Sequence, residues 1–141
     1  MSALVADSSV LAKLVIAEAD SEHADRVLSA RVQDGSVVTA LDIALVEVAN
    51  AVWKQFIRGN ATSVESEHAL SALMTVSLRI EPALSLLPSA METAIRYRIP
   101  IYDALFVALV VELKADGITA DEPLVNVVRR DLPQIKLLRD W

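Results

Sequence analysis

Ala3-Leu4-Val5-Ala6-Asp7-Ser8-Ser9-Val10 decides how the chain is read. A short apolar run meets an acid and two serines, then turns apolar again. Strands buried on both faces of a parallel sheet read as continuous apolar runs rather than alternating ones. Asp or Ser after such a run supplies the cap of a following helix. The stretch therefore predicts a strand over residues 3–6 and a helix from Val10 to Ala17, with Asp7 at the strand's carboxyl end. Met1 and Ser2 carry no basic region and no long apolar segment follows, so the opening residues are expected to be the first strand itself rather than a cleaved leader.

Working outward, the same alternation repeats. Asp20-Ser21-Glu22 opens a helix that runs to a turn at about Asp34-Gly35, and residues 36–39 read as a second strand. A long helix is expected from about Leu41 to Arg58, ended by Gly59-Asn60. Thr62-Ser63-Val64-Glu65 fits a capping box for a helix through about Leu78. A strand is expected within Arg79 to Leu86, and Pro88 suits the first turn of a helix to about Arg98. Pro100 breaks the chain, and Asp103 to Ala115 reads as an apolar helix closed by Asp116-Gly117. Ile118-Thr119-Ala120 forms a fourth strand, a helix follows Pro123, and Ile135 to Leu138 is the last strand. Strands separated by helices imply an α/β domain with a parallel sheet and helices on both faces, a single domain over residues 1–141.

Composition narrows the chemistry. Apolar residues make up 54% of the chain, enough for a large core, but the longest apolar run, Ala104 to Val111, stops at Glu112. A spanning helix needs about 20 apolar residues, so no membrane segment is expected. Without cysteine there is no disulfide and no thiolate ligand, and the cytoplasm is the expected compartment. With only two histidines, His23 and His68, any metal would be held by oxygen, which favours magnesium or manganese. A net charge of -6 argues against a broad basic surface for nucleic acid, unless part of that charge is a metal site.

Four acids stand out by position. Asp7 and Asp121 follow the first and fourth strands, at the edge where open α/β sheets place their sites. Asp103 opens a helix. Each of the three also reads as an ordinary helix cap. Glu47 has Ile43, Ala44, Asn50 and Ala51 as its helical neighbours, so its face is partly buried. A buried carboxylate is costly unless paired, here with Lys54 or Arg58, or metal-bound. Converging carboxylates raise one another's pKa, a repulsion that divalent ions relieve while activating water for phosphodiester hydrolysis.

Taken in order, Val5-Ala6-Asp7-Ser8-Ser9-Val10, Glu47-Val48-Ala49-Asn50-Ala51, Tyr102-Asp103-Ala104-Leu105 and Thr119-Ala120-Asp121 resemble the PIN-domain ribonucleases, specifically VapC-type toxins of VapBC toxin–antitoxin systems. The resemblance covers essentially the whole chain. It implies a three-layer α/β/α fold with a five-stranded parallel sheet, and magnesium- or manganese-dependent endoribonuclease activity on RNA. It also implies a homodimer neutralised by a cognate VapB-like antitoxin, which lays a helix or extended tail along the site. By matched position, Asp7 and Asp103 are the most direct metal ligands, and Glu47 and Asp121 complete the cluster. Ser9, Asn50 and Thr119 match positions that orient carboxylates or substrate; otherwise they read as a cap, a helix-face amide and a strand residue. The chain departs from the family after the fourth position, where Asp121-Glu122-Pro123-Leu124 offers a second acid able to share the role of Asp121.

Three other classes are weighed against this one. A phosphorelay receiver-like domain expects an acidic pair after the first strand and a Lys-Pro near the last; here only Asp7 follows strand one, and Pro133 precedes Lys136. A haloacid-dehalogenase-type phosphatase expects a second Asp where Ser9 stands. The remaining class is a non-catalytic binding module. His23 and His68 read as solvated surface, Trp53, Phe56, Tyr97 and Phe106 as core or interface, and Arg129-Arg130 as a solvated pair.

Overall fold

Residues 3–141 are described by the computed structural model; Met1 and Ser2, which the sequence reading carries into the first strand, lie outside the described residues. The strands are β1 (Ala3–Ala6), β2 (Val37–Leu41), β3 (Arg79–Glu81), β4 (Asp116–Thr119) and β5 (Ile135–Leu137). The helices are α1 (Ser8–Leu11), α2 (Ser21–Gln33), α3 (Asp42–Ile57), α4 (Ser63–Thr75), α5 (Leu87–Tyr97), α6 (Ile101–Glu112) and α7 (Glu122–Val128). The five strands pair in parallel in the order β3-β2-β1-β4-β5, and the helices cover the sheet to give three α/β/α layers. Receivers of the flavodoxin-like class order their strands 2-1-3-4-5, so the phosphorelay alternative does not match this topology.

Continuous apolar character explains the centre of the sheet. Leu4, Val5 and Ala6 are at most 1% exposed, and Ile118 on the neighbouring β4 is fully buried. α6 is apolar all round, with Ala104 to Val110 buried, and packs on β1 and β4 while leaning on α5. Among the described residues no helix is long and apolar enough to cross a membrane. The capping box is formed as expected: Glu65 N–H donates to Thr62 Oγ1 at 3.1 Å, and Thr62 N–H donates to Glu65 Oε1 at 2.9 Å.

Several boundaries differ from the sequence reading, each for a local reason. β4 starts at Asp116, not Ile118, because Asp116 and Gly117 pair with Leu4 and Val5 instead of closing a turn. The left-handed residue that ends α6 is Lys114, at φ 50°. α6 begins at Ile101 with Pro100 as its cap, which leaves Asp103 inside the first turn and not capping it. β3 stops at Glu81, before Pro82, and a 3-10 turn over Leu84–Leu86 takes the rest of that segment. α4 ends at Thr75, and α1 starts at Ser8 and gives way to a 3-10 turn over Ala12–Leu14.

The carboxyl end of the chain folds back onto α2. His23, expected at a solvated surface, is half-buried and its Nε2 lies 3.0 Å from the Leu138 carbonyl oxygen. Trp141 packs within the chain, with the Arg31 guanidinium 5.3 Å and the Lys136 ammonium 5.8 Å from its ring centre.

Gly117 shows how closely β4 is packed. A Cβ there would lie 2.9 Å from Val110 Cγ2, 3.1 Å from Phe106 Cζ and 3.2 Å from Ile135 Cγ1, all side chains of the buried core. Gly117→Ala should therefore cost about 1–3 kcal/mol by overpacking, read as a lower urea midpoint with an unchanged slope. A midpoint equal to the parent's would mean that β4 is not held this tightly against α6.

Candidate functional site

The winding of the sheet reverses between β1 and β4, which places a crevice at the carboxyl ends of those two strands. Asp7 follows β1 and Asp121 follows β4, so both stand at that crevice. α3 leaves β2 at the same edge. Side chains on a helix lean toward its N-terminus, so Glu47, in the second turn of α3, leans back toward that edge. α6 runs into the start of β4 through Leu113–Ala115, so its own N-terminus, with Asp103 in the first turn, also lies at the carboxyl edge.

Asp7 is held by a closed set of donors. Its Oδ1 accepts from Ser8 N–H at 2.9 Å, and its Oδ2 accepts from the hydroxyls of Ser9 at 2.8 Å and Thr119 at 2.7 Å. A hydroxyl has one proton to give, so both hydroxyls commit theirs to the same carboxylate oxygen. Their oxygens then accept from the backbone: Ser9 Oγ from Ala120 N–H at 3.0 Å, and Thr119 Oγ1 from Asp121 N–H at 3.1 Å. Asp7 thereby locks the turn that follows β4 onto the start of α1. Burial pushes the Asp7 carboxyl above its usual value and the Asp121 charge adds to this, against the lowering pull of the Thr119, Ser9 and Ser8 hydrogen bonds.

The other three acids divide into two kinds. Asp121 caps α7, its Oδ1 accepting from Leu124 N–H at 3.1 Å. Glu47 and Asp103 are half-buried, and neither carboxylate accepts a hydrogen bond from a described residue. Burial raises the Glu47 pKa, and the charges of Asp7 and Asp103 push it the same way. Asp103 is pushed up to about 6, by burial first and then by Asp121 and Asp7. These mutual repulsions place the four acids within electrostatic reach of one another. Asp103 is not the cap that sequence position suggested, and Glu47 makes no ion pair with Lys54 or Arg58 among the described residues, so neither has a structural partner that explains its charge.

Glu122 does not join the cluster: it is exposed and its Oε2 pairs with Arg139 Nη1 at 3.2 Å. Asn50, expected as a possible orienting group, is exposed one turn beyond Glu47 and hydrogen-bonds to none of the four acids. It lines a cavity of about 280 Å3 with Ser8, Ser9, Glu47, Ala51 and Lys54. Sequence reasoning weighed Lys54 only as a partner for Glu47. The overlooked signal is its spacing: positions 47, 50 and 54 fall on one stripe of a helix.

Whether these residues suit a metal is decided by their chemistry. The donors are all carboxylate oxygens, the set that hard divalent ions prefer, and two of them are partly buried with no protein donor to offset their charge. Among the described residues no three acidic or imidazole groups converge closely enough to hold an ion as they stand. Asp7 and Asp121 are each turned onto their own hydrogen-bond donors, whereas Glu47 and Asp103 accept none from a described residue. The donor set fits a magnesium or manganese ion in kind.

Comparison with known proteins identifies the family of the chain. The family model of the PIN domain matches residues 4–129. Ribonuclease VapC3 of Pyrobaculum aerophilum is 32% identical over 125 residues, spanning 87% of this chain and 92% of that protein. The fold is similar to the crystal structure of Mycobacterium tuberculosis VapC20, a sarcin-ricin loop cleaving toxin, with TM-score 0.69 and 16% identity over 94% of this chain and 98% of that one. It is likewise similar to VapBC2 from Rickettsia felis bound to a DNA fragment from its promoter, with TM-score 0.68 and 15% identity over 96% of each chain. At those identities the structural likeness speaks for the fold alone.

The raised pKa of Asp103, due to burial first and to neighbouring charge second, has a measurable sign. Asp103 has a folded pKa of about 6 against a reference of 3.8. Below the reference value it is neutral in both states. As pH rises through that window the unfolded chain ionises first, so stability falls, and above the folded pKa the loss is complete. With a chelator present, Asp103→Asn should therefore gain melting temperature over the parent as pH rises from about 4 to 6, and hold that gain at higher pH. A difference that does not change with pH would refute the raised Asp103 pKa.

Proposed function

Because the chain belongs to the PIN domain family, we propose that it is a magnesium- or manganese-dependent endoribonuclease, the toxin component of a type II toxin–antitoxin pair acting in the cytoplasm. The observation that carries this reading is that Asp7 and Asp121 stand at the crevice between β1 and β4, and that Glu47 and Asp103, from two further elements, lie near enough to feel the charges of this group. The 32% identity to a ribonuclease supports the activity. The likeness to a VapBC complex is in keeping with a VapB-like antitoxin as partner.

In this reading Asp7 and Asp103 hold the ion most directly, and Glu47 and Asp121 complete its surroundings. When bound, a divalent ion activates water and offsets charge on the phosphodiester oxygens. The chain's own residues prepare for it in two ways. Ser9 and Thr119 keep Asp7 in one orientation, with Oδ2 saturated by their hydroxyls. Glu47 and Asp103, with no protein donor of their own, release mutual repulsion when a cation arrives. Their raised pKa values mean that protons compete with the ion, so affinity weakens as pH falls toward 6. An antitoxin that placed an Arg or Lys among the same acids would satisfy the same charges and displace the ion.

The test is cleavage of RNA in magnesium, in manganese and in EDTA, by the parent and by Asp103→Asn. Cleavage is expected only with a divalent ion, and the variant should lose roughly 100-fold or more, since even an outer partner of a metal site is worth about 10–100-fold. Cleavage in EDTA, or full activity in the variant, would sink the reading. In parallel, manganese at about 100 times its Kd should stabilise the parent by about 2.7 kcal/mol, and Asp7→Asn should remove that shift.

A further inference from the structure

Resting on the nuclease reading, we propose that Lys54 is a substrate-binding residue, whose ammonium holds a phosphate of the RNA strand flanking the bond to be cut, in the cavity beside Glu47. α3 carries Glu47, Asn50 and Lys54 on one stripe. The first belongs to the acidic cluster and the last lies two turns further on, about 10.5 Å along the helix axis at 1.5 Å per residue. All three line one cavity of about 280 Å3, together with Ser8 from the start of α1. The cavity is therefore continuous with the acidic cluster through Glu47, and Lys54 is the one cation among its lining residues.

Charge favours the assignment. The chain carries a net -6, so a polyanion approaching the cluster meets repulsion unless a local cation draws it in. Two other cations on the elements around this edge are committed: Lys13 is paired with Glu18 and Asp20, and Arg139 with Glu122. Lys54 is exposed and makes no ion pair with a described residue. An ammonium binds phosphate as a compact point charge without demanding one geometry, which suits a strand whose sequence varies. The Asn50 amide and the Ser8 hydroxyl, on the same wall, add neutral hydrogen-bonding groups for sugar or base edges.

The experiment measures binding of a short fluorescent single-stranded RNA by anisotropy across a salt series, in magnesium. The protein carries Asp103→Asn to prevent cleavage, with and without Lys54→Gln. Each phosphate contact on a single strand contributes about 0.7 to the slope of log K against log salt. Lys54→Gln should reduce that slope by about 0.7, and Lys54→Arg should restore it. Lys114→Gln, at the opposite edge of the sheet, should leave it unchanged. With Asp103 intact, Lys54→Gln should raise KM and leave kcat nearly constant, the signature of binding shared by ground and transition states. An unchanged slope and KM in Lys54→Gln overturns this assignment and leaves the nuclease reading standing. Failure of the parent to bind or cleave any RNA overturns both.

Discussion

Between β1 and β4 the sheet reverses its winding, and the Asp7 N–H reaches across to the Ile118 carbonyl at 3.0 Å. That pairing joins segments more than a hundred residues apart, so it costs loop-closure entropy that only a buried apolar centre can offset. Leu4, Val5, Ala6 and Ile118 supply that centre, and α6 covers it with an apolar surface on all sides. Everything at the crevice follows from it. Asp7 and Thr119 meet because their strands are neighbours. Asp121 stands beside them because the turn after β4 is pinned by the Ser9 and Thr119 hydroxyls.

The acids themselves work against the fold. Asp103 and Glu47 are partly buried, feel like charges and have no protein donor, each of which raises the free energy of the ionised form. Their backbone positions are dictated elsewhere: Asp103 by a helix whose next seven residues are buried, Glu47 by a helix that buries Ala44, Val48 and Val52. The core thus holds repelling groups together. Glu122 illustrates the opposite case. It is adjacent to Asp121 in sequence, yet at the surface it finds Arg139 and takes no part.

Reading the sequence worked where a pattern was local. The run at residues 3–6, the capping box at Thr62 and the semi-buried face around Glu47 all depend on neighbours within a turn or two, and all are found as read. It was less accurate where a residue had two uses. Gly117 resembles a helix terminator, but its missing Cβ serves close packing inside β4, and the left-handed turn falls on Lys114 instead. Asp103 resembles a cap, but Pro100 already starts the helix. The meeting of Ser9 with Thr119 around Asp7, suggested by the family resemblance alone, and the pairing of Glu122 with Arg139 escape such local patterns for another reason. They join residues brought together only by the sheet and its flanking turns, and no periodicity within one segment records them.

The double use of the Ser9 and Thr119 hydroxyls narrows what drift can tolerate at these two places. Each position asks for a group that gives one hydrogen and receives another within a span that a single oxygen bridges. Serine and threonine both meet that demand. Alanine would strand a backbone N–H, and aspartate would set a second charge against Asp7. An amide is too long to serve both ends from one atom. The two sites share one carboxylate oxygen, so a loss at either falls on the other. They form a small coupled unit that depends on both hydroxyls.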